Sequence, residues 1–203
     1  MSLIASENSG TTFDPIPEGT YLAVCYMMVD LGMQYSERWG RTSHKVQIGW
    51  ELPELTVTID GEEKPRTVSK EYSMSLNKKG NLRQALVTWR GKDFTPEELE
   101  RFDLRNIVGT SCLINIVQND SNGKTYSNVS GIMALPKGMP KGKLASDPLI
   151  FDLDADDLSI LNPFPKYLRE KIERSETYQE RVNQNQTPVL TVLNNEEDDD
   201  LPF

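Results

Sequence analysis

Residues 45–52 alternate without a break: Val46, Ile48 and Trp50 fall on one side of an extended chain, Lys45, Gln47 and Glu51 on the other, and Pro53 ends the run. A period of two fits a strand with one buried face and one wet face, because successive side chains of a strand point to opposite sides. Residues 67–76 repeat the pattern, with Val68, Tyr72, Met74 and Leu76 expected inward. Residues 20–30 are a denser run of aromatic and branched side chains stopped by Gly32, as a buried strand requires. Between the second and third runs, Asp60-Gly61 is a turn dipeptide that predicts a hairpin or short excursion over 55–66.

The period then changes. Leu82, Ala85, Leu86 and Trp89 fall at i, i+3, i+4 and i+7, one stripe of a helix that Gly91 ends. Thr95-Pro96-Glu97-Glu98 supplies a cap, a first-position proline and first-turn glutamates, so a second helical start follows. Residues 107–118 and 124–135 read as two more strands around an Asn119–Gly123 turn. Three strands, a helix and two strands is the element order of the OB-fold, a small Greek-key barrel. The expectation is therefore a mainly β chain: one OB-fold-like five-stranded barrel with an inserted helix over residues 17–145.

The flanks differ in character. Residues 1–16 are polar and aperiodic and read as a flexible lead-in. Residues 137–147 hold Gly138, Gly142 and three lysines and look like a linker. Residues 146–182 read as an acidic extended segment followed by one charged helix from Pro165 to Val182, with a thin stripe of Tyr167, Leu168, Ile172 and Tyr178. Residues 183–203 read as a disordered acidic tail, since a run of like charges cannot bury apolar surface.

The formal charge of −9 argues against a nucleic-acid partner until it is divided along the chain. Residues 17–145 carry 17 Lys and Arg against 15 Asp and Glu, whereas residues 146–203 carry 5 against 14. A near-neutral domain with an acidic arm is the pattern, so the positions of its cations decide the question. In OB-folds the strand 2–3 face and the loops joining strands 1–2 and 4–5 bind oligonucleotides. The first such loop, residues 31–44, interleaves Tyr35 and Trp39 with Arg38 and Arg41 and leads into Lys45. Cations neutralise phosphates and aromatic faces stack on unpaired bases, so these five residues are candidate contacts. Lys124 and Tyr126 flank the second loop, and Lys78, Lys79 and Arg83 form a further basic group around the first helix. Trp50 and Trp89 share their faces with Val46, Ile48, Leu82 and Leu86 and belong to the core.

Catalysis finds little support. His44 is the one histidine, which excludes most histidine-based metal clusters and argues against an acid–base triad. Asp152, Asp154, Asp156 and Asp157 start like a calcium loop, but its sixth and twelfth positions are Asp157 and Pro163 in place of glycine and glutamate. No phosphate-binding or dinucleotide glycine motif is present. Neither an enzyme, a cofactor nor a bound metal is expected. Cys25 and Cys112 lie in strand-like runs and read as buried free thiols of a reducing compartment. The chain has no run of 18 apolar residues and no secretory start, so the bacterial cytoplasm is expected and no membrane partner.

The chain ends Glu196-Glu197-Asp198-Asp199-Asp200-Leu201-Pro202-Phe203. Five carboxylates lead into an apolar tip whose terminal carboxylate sits on phenylalanine; leucine and phenylalanine suit a hydrophobic slot and the carboxylate a basic rim. This end resembles the acidic tip of bacterial and phage single-stranded DNA-binding proteins. Lys45-Val-Gln-Ile-Gly-Trp-Glu-Leu-Pro53 and Leu82-Arg-Gln-Ala-Leu-Val-Thr-Trp-Arg-Gly91 are similar to stretches of such phage replication proteins. The resemblance implies coating of single-stranded DNA, without strong sequence preference, in phage replication, recombination or repair. It also implies that Asp198, Asp199, Asp200, Leu201, Pro202 and Phe203 dock replication or recombination proteins of phage or host. Self-association into a homo-oligomer is compatible with it. Two other readings compete: an adaptor that captures replication proteins without binding DNA, and a metal-dependent nuclease using the aspartates near residue 154.

Overall fold

A computed structural model of the chain describes residues 14–186. Six strands form one open sheet: β1 (Gly19–Ser36), β2 (Arg41–Ile59), β3 (Glu62–Ser73), β4 (Ser111–Ser121), β5 (Lys124–Met133) and the short β6 (Leu149–Phe151). The order is β3-β2-β1-β4-β5, antiparallel throughout, with β6 added parallel to β1. The expected Asp60-Gly61 turn closes a hairpin in the left-handed backbone region, and the turn expected over Asn119–Gly123 narrows to Asn122-Gly123, since β4 runs to Ser121. Asp60 and Gly61 have φ of 53° and 82°, and Asn122 and Gly123 of 50° and 72°. Helix α1 (Asn81–Arg90) lays Leu82, Leu86 and Trp89 into the core and stops at Gly91, whose N–H bonds back to Val87. Helix α2 (Pro96–Glu100) starts with the reciprocal Thr95–Glu98 capping box.

The strand β1 explains the architecture. Its first half pairs with β4 as far as Val24, and β6 takes over that edge from Met27 to Val29. A bulge between Cys25 and Met27 switches the parity of its side chains. Ala23, Cys25 and Met28 therefore enter the main core with Val46, Ile48, Trp50, Leu86 and Trp89. Met27, Val29 and Leu31 face the other way, into a second core with Phe151, Leu153, Leu161, Phe164, Leu168 and Ile172. A strand apolar on both faces is what its unbroken hydrophobic run encodes.

Several expectations need correction. Residues 165–182 form two helices, α3 (Lys166–Glu173) and α4 (Glu176–Gln186), because the Ser175 hydroxyl accepts from the Tyr178 N–H and restarts the chain. Order also continues past residue 182. Leu168 and Ile172 are buried, but Tyr167 is exposed and leaves their stripe. Met74 lies beyond the end of β3 and is exposed. The lead-in is packed at its last residue: Ile16 is in the core, and its carbonyl accepts from Gln118 and Ser127. The linker is docked as well, since the buried Glu51 carboxylate accepts the Ala145 and Ser146 N–H groups at 2.9 and 3.1 Å. Residues 1–13 and 187–203, and with them most of the expected lead-in and acidic tail, lie outside the described residues. No helix among the described residues is long and apolar enough to cross a membrane.

Candidate nucleic-acid interface

The segment expected to be an open loop is a two-stranded arm. β1 and β2 stay in register through Met33–His44, Gln34–Ser43, Tyr35–Thr42 and Ser36–Arg41. The turn closes with Trp39 N–H donating to Ser36 O at 3.1 Å, and Gly40 at φ 58° completes it. Tyr35 and Trp39 are 64% and 66% exposed, while Trp50 and Trp89 are 0% and 6%. Apolar surface of that size held in water is available to a partner. The Arg38 guanidinium lies 5.2 Å from the Trp39 ring centroid, and Arg41 is exposed beside it. Stacking on the indole face leaves the guanidinium's outward donors for phosphate.

The other candidates fall into three groups. Lys45 stands at the root of the arm, its ammonium 2.8 Å from Ser73 Oγ. Lys78 and Lys79 are exposed on the segment that leaves β3 beside the same root, where Met74 N–H donates to His44 O. Arg83 is structural: it donates to Asp93 at 3.0 Å and to Leu76 O, and its side chain is mostly buried. Lys124 and Tyr126 are exposed, but the Gly19–Ile116 end of the β1–β4 ladder carries the β4–β5 turn to the side of the sheet away from the arm. The arm residues, Lys45, Lys78 and Lys79 therefore share one end, and Lys124 and Tyr126 mark the other.

What lies between departs from the expected binding face. The second core and the α3–α4 pair cover the outer face of β1, and on β2 Gln47, Gly49 and Glu51 are buried too, Gly49 against Met27 and Tyr26 and Glu51 under residues 145 and 146. The outer face of β3 stays exposed with Thr67, Ser69, Glu71 and Ser73, and Glu71 is paired with Lys171 of α3. Trp50 and Tyr72 of these strands point inward. The strand 2–3 face thus offers polar groups and no stacking ring; among the described residues the exposed aromatics are Tyr35 and Trp39 of the arm, Tyr126 at the far end of the sheet and Tyr167 on α3.

A cavity of about 310 Å³ opens near the arm's root. Met28, Leu82 and Phe102 line it together with Asp30, His44 and Asp154. Asp30, Asp152 and Asp154 each place one oxygen within 4.8 Å of the others, a spacing a cation could bridge. Two of these carboxylates are engaged within the protein. Asp30 Oδ1 accepts the Gly32 N–H at 2.7 Å and lies 2.6 Å from His44 Nε2, and Asp152 Oδ1 accepts the Asp154 N–H. The acidic lining repels phosphate and separates this cavity from the cationic arm.

Asp30 beside His44 holds the imidazole pKa above its ordinary value of 6.5; burial opposes this, and Asp154 and Asp152 add to it. A pKa raised by folding stabilises the protein fully below the unfolded value and ceases to do so as pH rises through the folded one. The thermal midpoint should therefore fall, as pH rises from below 6.5 through the higher folded pKa, by a component that His44→Gln lacks. Matched melting curves of the two proteins check this. Burial pushes the Cys25 thiol up to about 12, so it stays protonated and unreactive.

Sequence reasoning missed the groups that hold these parts together. Lys70 donates to Val129 O at 2.8 Å across the gap between β3 and β5, with its pKa lowered by burial. Gln34, Thr42 and Thr177 tie the arm to α3–α4. No local pattern signals contacts between residues 59 to 144 apart in the chain. A scan against protein-family models finds no match for the chain, and a search of curated proteins finds none either.

Proposed function

We propose that this chain binds single-stranded nucleic acid through the β1–β2 arm, on an OB-type barrel left open between β3 and β5. The strand order β3-β2-β1-β4-β5, the helix between β3 and β4 and the Lys70–Val129 bridge support the barrel reading. One observation carries the functional reading: two tryptophans are buried, and the third stands two-thirds exposed at the tip of a hairpin between two arginines. Stacking on such a ring tolerates any base, so binding without strong sequence preference follows. Single-stranded DNA exposed in phage replication, recombination or repair is the proposed ligand, and the reaction is binding, not catalysis.

The tail has the second role. Five carboxylates on a tether visit the cationic arm as a phosphate mimic at millimolar-scale effective concentration, and nucleic acid displaces them. The freed Leu201-Pro202-Phe203 tip then enters a partner's apolar pocket. Deleting residues 196–203 should tighten DNA binding, most at low salt, while Phe203→Ala should leave DNA affinity unchanged and abolish partner capture. Binding curves and pull-downs with the two variants measure this; unchanged affinity and full capture would reduce the tail to a solubility device.

The adaptor reading draws on a different observation, the covered outer face of β1 and β2, which removes much of the surface an OB-type barrel uses. A mobility-shift titration with oligo-dT, with and without magnesium, separates the readings. A shift with intact oligonucleotide supports the binder, no shift supports the adaptor, and magnesium-dependent degradation supports a nuclease.

A further inference from the structure

We propose that the α3–α4 pair is the positioning scaffold of the arm, so that nucleic-acid affinity depends on residues that never touch the ligand. This rests on the arm being the binding element. A two-stranded ribbon is marginal on its own, and this one has a break at its base. The β1–β2 register shifts between Asp30 and Gly32, and Gly32 sits at φ 67°. Beyond that point no residue of the arm belongs to either hydrophobic core. Something else must set its direction.

The ties come from both strands and lead to one place. Met33 N–H donates to Thr177 Oγ1 at 3.0 Å, Gln34 Nε2 donates to Lys171 O at 2.9 Å, and Thr42 Oγ1 donates to Glu176 Oε1 at 3.0 Å. The end of α3 and the first turn of α4 thus grip the ribbon on either side of its ladder. They also press against the break itself. A Cβ on Gly32 would lie 2.7 Å from both Ser175 Oγ and Leu153 Cδ2, so the helix junction seats directly on glycine backbone. The grip is anchored behind, by the fully buried Leu168 and Ile172, by the Lys171–Glu71 pair and by Arg181 donating to Leu153 O.

The consequence is preorganisation. A stacking group already fixed in direction loses less freedom on binding, so loosening its support weakens affinity without removing a contact. A mere cover over the outer face of the sheet behaves in the opposite way, since loosening a cover tightens binding.

The experiment compares Thr177→Val, which keeps volume but loses the hydroxyl, with Thr177→Ser, which restores it. Hydrogen exchange of residues 33–42 in the free protein and affinity for oligo-dT are both measured, with Trp39→Ala as the contact control. Thr177→Val should speed exchange across the arm and weaken binding roughly 2- to 10-fold, the range expected for releasing one or two ordered groups. Thr177→Ser should return both to wild-type values, and Trp39→Ala should weaken binding with exchange unchanged. Should Thr177→Val fail to fold, Thr42→Val cuts the exposed Glu176 tie and carries the same expectations. Arm exchange unaffected by either variant overturns the scaffold whether or not the protein binds DNA. Faster exchange with equal or tighter binding also overturns it. Absence of any wild-type binding contradicts the proposed function, and the exchange measurement still decides the bracing.

Discussion

Leu168→Ala should lower the unfolding free energy by about 2–5 kcal/mol, the usual cost of deleting a leucine side chain from a closed core. Leu168 is fully buried among Met27, Val29, Leu31, Phe151 and Ile172. Three of these neighbours belong to β1, so the variant hollows the contact between extension and sheet. If residues 146–182 were a tether, the same change would do nothing. Urea denaturation followed by circular dichroism measures the difference. Tyr167→Ala serves as the neighbouring control: its ring is 61% exposed, and the expected change is within about 0.5 kcal/mol. Comparable losses from both variants would contradict the second core.

Trp39→Ala should weaken binding of oligo-dT by about 1–3 kcal/mol, the worth of one base–aromatic stack, while the melting temperature stays put. That is roughly a 5- to 150-fold rise in Kd. The prediction separates contact from fold because the indole is mostly in water and outside both cores. Trp50→Ala should do the reverse, since its ring is fully buried, 5.8 Å from that of Trp89. Arg41→Ala is the cleaner probe of phosphate contact than Arg38→Ala, because losing Arg38 also uncovers the Trp39 face.

Much of this architecture was legible where one face of an element meets one core. Alternation placed Val46, Ile48 and Trp50 inward, the i, i+4, i+7 stripe placed Leu82, Leu86 and Trp89, and both glycine turns fell within the stretches read as turns. Reading failed where a segment answers to two surfaces or to none. The bulge at Cys25 shifts side-chain parity within an apolar run, so composition shows burial but not which core receives it. Residues 33–36 and 41–44 pair through backbone alone, and their polar side chains carry no period, so a ribbon looked like a loop. The break at Ser175 did have a signal, a serine followed by Glu176 at a helix start, hidden inside a long polar stretch. The candidate site was legible in Trp39, Arg38 and Arg41, which lie close in sequence. Its limits were not, because the strands that carry Lys124 and Tyr126 away and the segments that cover β1 and β2 are set by distant contacts.

The central claim is that the arm binds single strands by stacking and phosphate contact. Titrating labelled oligo-dT and a duplex of equal length over a range of salt concentrations tests it most directly. The account predicts a preference for the single strand and a log–log salt slope of about −0.7 for each phosphate contacted, one such step smaller in Arg41→Ala. Equal affinity for the duplex, or single-strand binding indifferent to salt, would contradict it.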